Sequence, residues 1–448
     1  MKISPKQPEN QFRNFQKELK ETHNNKENIF MLYEKFIERF IKLNKKYRFS
    51  TSFKKSYIFD QLDILLKKRQ NTLSFIPFGI KDIFNSKVLP TEMGSEIWKD
   101  FHAGNNARIV QEIVNRGGIA FCKTTAAEFA VHYIEDGVTI NPHHKDHITG
   151  TSSAGSAVAV ACGALPICLG TQTAGSIIRP SSFCGTIGFK PSFGALDRTG
   201  VLKTNDTLDT LGLIGCDLNL ILDTFLKLYQ NTKDYPFSKL YKKYYVDYQN
   251  KKPNILLIDE QFNNYNNYDN YVQDSFEQIS RELSKKYNIV SVDKNELNCI
   301  NLVHNSHEII YDKSLSYYFL EESKQHGKVS DIMTFMIKRG NRYSEIEFIK
   351  QIKNQIQLTT QFNKIIDDNE IDYIITPSTA SCAPKLGERE IDDTCLIWTY
   401  FGLPAVSIPL FYNEKIGLPY GLQIVAPRYH DFRLLEFSKI VFDNYCQY

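Results

Sequence analysis

From about residue 74 the chain alternates short apolar, β-like runs with stretches of helical periodicity. The apolar runs predict strands at Phe78–Lys81, Ile119–Lys123, Leu165–Gly170, Ile255–Ile258, Ile289–Val292, Tyr373–Thr376, Ala405–Pro409 and Gly421–Ala426. Helical patterns fall between several of them, as at Ala107–Asn115 and Ser156–Cys162. Alternation of this kind predicts an α/β fold: a single domain with a central mixed β-sheet covered by helices on both faces.

The ends and the middle of the chain read differently. Residues 1–27 are rich in Asn, Gln, Lys and Glu and read as a frayed polar tail. Residues 28–44 set Ile29, Tyr33, Phe36, Phe40 and Leu43 on one helical face. Lys35, Arg39 and Lys42 are interleaved with that face, which also suits a membrane-surface helix. Docking on the protein's own core is the favoured reading. The organisation expected is then an N-terminal helical segment (28–70), a central portion (71–230), a variable linker or insert crowded with Lys, Asn and Tyr (231–272), and a C-terminal portion with the closing strands (273–448).

Composition narrows the class without naming an activity. The 448 residues are 42% hydrophobic and 23% charged, with a formal net charge of +3. These values suit a globular protein with a large core, and they give no push toward nucleic acid or an anionic membrane. The nine cysteines contain no CxxC pair, which argues against a zinc cluster and against a disulfide framework. The first residues lack an apolar signal segment, so a cytoplasmic enzyme is expected.

The candidate chemistry lies in two glycine/serine loops, Gly150-Thr151-Ser152-Ser153-Ala154-Gly155-Ser156 and Gly170-Thr171-Gln172-Thr173-Ala174-Gly175-Ser176. Each opens like a phosphate-binding GxxxxG loop but lacks the lysine that should follow. The GxSxG elbow of many serine hydrolases is missing as well, because Ile177 and Ile178 follow Ser176. An SxxK run at Ser52–Lys55 stands in a basic polar stretch without companion motifs. A serine nucleophile needs a base to take its proton and donors aimed at the oxyanion. Small residues from Thr173 to Ser176 can present consecutive backbone N–H groups to one concavity. Lys81, at the end of an apolar run, can serve as a base if burial leaves it neutral. Capping serines at helix N-termini and a surface lysine are the plain alternatives.

With Lys81 and both loops in place, the chain resembles the amidase signature family of serine hydrolases from about residue 28 to its end. The matching stretches are Gly79-Ile80-Lys81-Asp82, Lys123-Thr124-Thr125 through Glu128-Phe129-Ala130, Asn141-Pro142, both loops, the run 170–194, and Thr207-Leu208-Asp209-Thr210. Thr376-Pro377-Ser378, Gly402–Val406 and Gly417–Gln423 continue the series. The resemblance implies hydrolysis of a carboxylic amide through an acyl-enzyme, without a cofactor or metal. Ser176 is implied as the nucleophile, Ser152 as a bridging serine associated with a cis peptide bond, and Lys81 as the base. Thr173, Ala174, Gly175 and Ser176 are implied as the oxyanion hole. The expected partner is a small-molecule amide, with no nucleic acid and no membrane. Homodimers are common among relatives of this family, a state this sequence does not itself display.

Departures from the family pattern bear on substrate more than on chemistry. Thr151 stands where Gly is commonest, Gln172 and Ala174 replace the usual Asp and Gly, and Arg179 falls three residues after Ser176 instead of two. One alternative is the amidase component of a tRNA-dependent amidotransferase, although residues 326–368 lack features associated with that component. Another is a non-catalytic binding protein on the same scaffold. The histidines at 143, 144 and 147, and the pair His304 and His307, match no recognised ligand spacing, so a polar loop and a pocket-wall or surface helix are expected there. Pocket walls are expected from residues 125–145, 300–345 and 378–400.

Overall fold

The structure is a computed structural model that describes residues 4, 6–22, 24–67, 73, 75–131, 138–231, 252–258 and 268–446. Most of the expected insert at 231–272 therefore lies outside the described residues. The described strands are β1 (Ser50–Phe53), β2 (Pro77–Lys81), β3 (Ile119–Thr124), β4 (Ile167–Gln172), β5 (Ile187–Lys190), β6 (Thr210–Gly215), β7 (Asn254–Leu257), β8 (Asn288–Val290), β9 (Tyr373–Pro377), β10 (Ala405–Asn413) and β11 (Leu418–Val425). They form one eleven-stranded sheet in the order β1-β3-β2-β4-β6-β5-β10-β11-β9-β7-β8. The sheet is mixed: β2 pairs in parallel with β3 and β4, as does β7 with β8 and β9, whereas β4–β6, β5–β6, β5–β10, β10–β11 and β11–β9 are antiparallel.

Both faces of this sheet are covered, as the alternation of the strands shows. Along β9, Tyr373 and Ile375 enter one apolar cluster while Ile374 enters the other. Along β10 and β11, Val406, Ile408, Leu422 and Ile424 face the first cluster, and Ala405 and Val425 the second. Successive strand residues point to opposite faces, so a strand apolar throughout must have helices on both sides. Helices 26–47, 55–67, 108–115 and 431–445 contribute to the first cluster, and helix 345–368 to the second.

The N-terminal tail departs from expectation. Residues Lys6–Glu21 form a helix, with Phe12 and Phe15 buried and Leu19 packed on the same core cluster. Phe12, Phe15 and Leu19 recur at helical spacing within a polar composition, enough to anchor one face. The following helix, Lys26–Tyr47, buries Ile29, Tyr33 and Phe40 completely against the protein's own core. Phe36 and Phe40 meet Phe121 of β3, and Arg39 Nη2 donates to Gly163 O at 2.7 Å. Its apolar face is thus occupied within the chain. Among the described residues, no helix is long and apolar enough to cross a membrane.

Sequence periodicity misses β1, β5 and β6. In β6 the apolar residues are interrupted by Gly212 and Gly215, which weakens a strand pattern. Gly212 has a tertiary cause: a Cβ there would lie 2.2 Å from Phe189 O of β5. Strand β4 also runs to Gln172, beyond the predicted Gly170, which shortens the turn leading to Ser176.

Candidate active site

The end of β2 delivers Lys81 into the interior, where it is fully buried. Its Nζ lies 2.7 Å from Ser152 Oγ and 2.9 Å from Thr171 Oγ1. Burial holds its pKa well below the usual lysine value, with the Asp209 carboxylate pulling the other way. A neutral amine can donate one N–H to Thr171 and turn its lone pair to the Ser152 hydroxyl, the arrangement required of a base.

Ser152 follows a cis peptide bond from Thr151 and precedes helix Ala154–Ala161. That helix starts hard against the sheet edge: a Cβ on Gly155 would meet Thr125 Oγ1 at 2.3 Å and Phe49 O at 2.4 Å. Ser156 Oγ donates to Leu169 O at 2.9 Å, tying the helix to β4. The first loop is therefore held between β3 and β4, with Ser152 facing the end of β2.

Ser176 lies on the turn between β4 and helix Ile178–Cys184 and is 6% exposed. β4 also carries Thr171, so the strand that contacts Lys81 leads directly into the Ser176 turn. Gln172 organises this turn. Its Oε1 accepts from Ile177 N at 2.8 Å and Ile178 N at 3.0 Å, and its Nε2 donates to Thr399 Oγ1 at 2.9 Å. A neutral amide thus caps the helix at a position where the family usually has a carboxylate. Thr173 Oγ1 donates to Asp209 Oδ1 at 2.8 Å. Asp209 also accepts from Thr204 Oγ1 (2.7 Å), Thr204 N (2.8 Å) and Asn205 N (3.0 Å), so it joins the second loop to the 204–209 turn.

Arg179, the shifted arginine, is buried and pairs through Nε with Asp393 Oδ2 at 2.7 Å and Glu390 Oε2 at 3.1 Å. Burial alone would lower its pKa, but the two carboxylates raise it above the usual arginine value. Its guanidinium backs Gly175, whose Cβ would meet Arg179 Cζ at 2.9 Å.

The histidines have structural partners. His143 Nε2 pairs with Cys184 O at 3.0 Å, and His147 Nδ1 with Ala383 O at 2.6 Å. His307 is buried with Nε2 2.9 Å from Thr173 O, so it touches the Ser176 turn, while His304 is only partly buried. Among the described residues, no cluster of three or more His, Cys, Asp or Glu side chains could hold a metal ion. Thr171, Asp209, His307 and Thr399 escaped the sequence reading as site residues. Thr171 and Asp209 lie inside motifs already quoted. His307 stood out as half of a histidine pair, and it and Thr399 fall within the stretches 300–345 and 378–400 expected to wall the pocket, without a signal that singles out their contacts.

Comparison with known proteins agrees with this architecture. The chain is 28% identical over 453 residues to a glutamyl-tRNA(Gln) amidotransferase subunit of Pelagibacter ubique, covering 88% of this chain and 89% of that relative. A chain of the protein complex described for the origins of an s-triazine catabolic enzyme superposes with a TM-score of 0.81 at 19% identity, covering 94% of this chain and 96% of that one. A crystal structure of an amidase superposes with a TM-score of 0.79 at 20% identity, covering 92% and 95%. The protein is thus of the amide C–N hydrolase class. It belongs to the Amidase family, whose sequence model matches residues 31–435.

Proposed function

We propose that the chain hydrolyses a carboxylic amide to a carboxylate plus ammonia or an amine, through an acyl-enzyme on Ser176. The observation that carries this reading is the 2.7 Å contact between fully buried Lys81 and Ser152. A lysine held by two hydroxyls, with burial disfavouring its charge, is suited to accept a proton. In the proposed sequence Ser176 Oγ bonds to the amide carbon as the carbonyl electron pair moves to oxygen. Its proton passes to Ser152, whose own proton passes to Lys81. Collapse restores the carbonyl and breaks the C–N bond, and Ser152 protonates the departing nitrogen while Lys81 returns its proton to Ser152. Water then attacks the ester carbon by the same relay, releasing the carboxylic acid, which ionises, and regenerating Ser176. Backbone N–H groups from Thr173 to Ser176 are the proposed oxyanion donors.

A fluorophosphonate probe tests the nucleophile. Labelling that disappears in Ser176→Ala is expected; a native protein that resists the probe while turning over amides would overturn the assignment. A panel of primary, aryl and fatty amides then defines the acyl and amine groups accepted. The free thiols of all nine cysteines suit a reducing, cytoplasmic setting.

A second reading, the amidase component of a tRNA-dependent amidotransferase, is supported by the Pelagibacter relative. It requires a partner protein and glutamine as amide donor. Glutaminase activity that rises on adding a co-purifying tRNA-binding partner would select it over a free-standing amidase.

A further inference from the structure

The turn that carries Ser176 is tethered from behind by two side chains from distant parts of the chain. His307, on helix Val303–Tyr318, places Nε2 2.9 Å from Thr173 O. A carbonyl oxygen only accepts, so Nε2 carries the hydrogen. Burial lowers the pKa of this imidazole to about 4, so the donor is the neutral ring. Thr399, on helix Cys395–Tyr400, donates from Oγ1 to Ala174 O at 2.7 Å.

The direction of the Thr399 bond follows from its neighbours. Gln172 must present Oε1 to the Ile177 and Ile178 N–H groups, which leaves its Nε2 to donate to Thr399 Oγ1. The single hydroxyl hydrogen of Thr399 then has two candidate acceptors, Ala174 O at 2.7 Å and Cys395 O at 3.2 Å. The shorter contact to Ala174 O is the one it serves.

These contacts have a consequence on the other side of the turn. In a planar trans peptide, the C=O of one residue and the N–H of the next point in opposite directions. Holding the Thr173 carbonyl on His307 aims Ala174 N–H away from that helix. Holding the Ala174 carbonyl on Thr399 does the same for Gly175 N–H. Among the described residues, no acceptor takes the amide hydrogens of Ala174, Gly175 or Ser176. Gly175 and Ser176 are buried and Ala174 is partly buried, and buried backbone donors are rarely left unpaired unless the site has a use for them.

We propose that His307 and Thr399, with Gln172 behind Thr399, are positioning residues that preset the Ala174 and Gly175 N–H groups to receive the oxyanion. This rests on the reading of Thr173–Ser176 as the oxyanion loop. Either carbonyl, released from its tether, can rotate its peptide plane and replace a donor with an acceptor beside the developing negative charge. The loss should therefore fall on the transition state and leave substrate affinity nearly unchanged.

Paired substitutions test the proposal in the full-length protein. Thr399→Val keeps shape and loses the hydroxyl, whereas Thr399→Ser keeps the donor; His307→Leu and His307→Gln form the matching pair. The readouts are kcat and KM for the best amide of the panel, the second-order rate of fluorophosphonate labelling, and Tm. Thr399→Val and His307→Leu should each lower kcat and labelling by about 10–100-fold, somewhat below the effect of deleting an oxyanion donor outright, with KM within about threefold. Thr399→Ser and His307→Gln should recover most of that loss. A folded Thr399→Val with native kcat and labelling would overturn the inference, as would a loss carried by KM alone or one the conservative variants fail to recover. If His307→Leu does not fold, the Thr399 pair decides alone. Ser176→Ala separates the two levels: labelling that persists there overturns the nucleophile itself, whereas labelling lost there but unaffected by Thr399→Val overturns only the positioning roles.

Discussion

Lys81 and Lys123 lie one register position apart on paired strands, both fully buried, yet among the described residues only Lys123 meets a carboxylate. In the parallel β2–β3 register, Ile80 is opposite Lys123 and Lys81 opposite Thr124. Lys123 Nζ lies 2.9 Å from Asp82 Oδ1, 2.8 Å from Phe84 O and 2.9 Å from Thr91 Oγ1. Among the described residues, Lys81 meets only the hydroxyls of Ser152 and Thr171. Burial pulls both lysines toward neutrality, but the Asp82 partner opposes this for Lys123. Lys123 is therefore held in an ion pair, whereas Lys81 is left free for the proton-accepting role proposed for it.

Replacing Lys81 should separate activity from stability. Lys81→Met is expected to lower kcat by about 10²–10⁴-fold and to abolish the acid limb of the pH–rate profile. The folded pKa of Lys81 lies below its unfolded value, so between the two the unfolded chain binds more protons. Stability then rises with pH across that window and falls as pH drops toward the folded pKa. Methionine removes this dependence, so Tm near neutral pH should hold or rise. A Lys81→Met protein with native kcat would sink the proposed relay.

Lys123→Met should do the reverse. It leaves Asp82 buried without its counter-ion, a change that costs about 3–5 kcal/mol in comparable buried pairs. Urea titration should show a lower midpoint, and adding Asp82→Asn should restore part of it. A native midpoint for the single variant would mean that the pair carries no net coupling.

Asp209→Asn is expected to move the acid limb to lower pH. The Asp209 carboxylate favours the protonated form of Lys81, so removing its charge makes the lysine easier to keep neutral. The maximal rate should fall at the same time, because the contact from Thr173 and the 204–209 turn are weakened. A limb that shifts upward would show that Asp209 acts on Lys81 in the opposite sense.

Gly155→Ala probes the seating of the first loop. The added Cβ would press on Phe49 O and Thr125 Oγ1, and backbone on the sheet edge yields little. A loss of about 1–3 kcal/mol is expected, as for other overpacked cores, together with reduced turnover from a displaced Ser152. Circular dichroism melts and kcat measured on the same preparation check both effects.

Much of the sheet could be read in advance because its long buried strands are continuous apolar runs bounded by turn residues. β2, β3, β9, β10 and β11 all contain their predicted segments or overlap them closely. β5 and β6 could not, since their glycines carry no β signal and answer to a contact between strands, as the Gly212–Phe189 approach shows. The helix at Lys6–Glu21 was hidden for a related reason: a few phenylalanines anchor it, while the rest of its residues remain polar.

Read alone, the sequence determined the two serine-bearing loops, the upstream lysine, the α/β alternation and the resemblance to amidases, because each is written in contiguous residues. Tertiary structure decided which buried lysine keeps a carboxylate and which does not, since Asp82 and Ser152 reach the two side chains from different loops. It also brought Thr399 to Ala174 across 225 residues and His307 to Thr173 across 134. Bonds of that range leave no periodicity or spacing in a sequence. They arise when helices from the C-terminal half pack over the turn that β4 projects, and there they fix which way its peptide groups point.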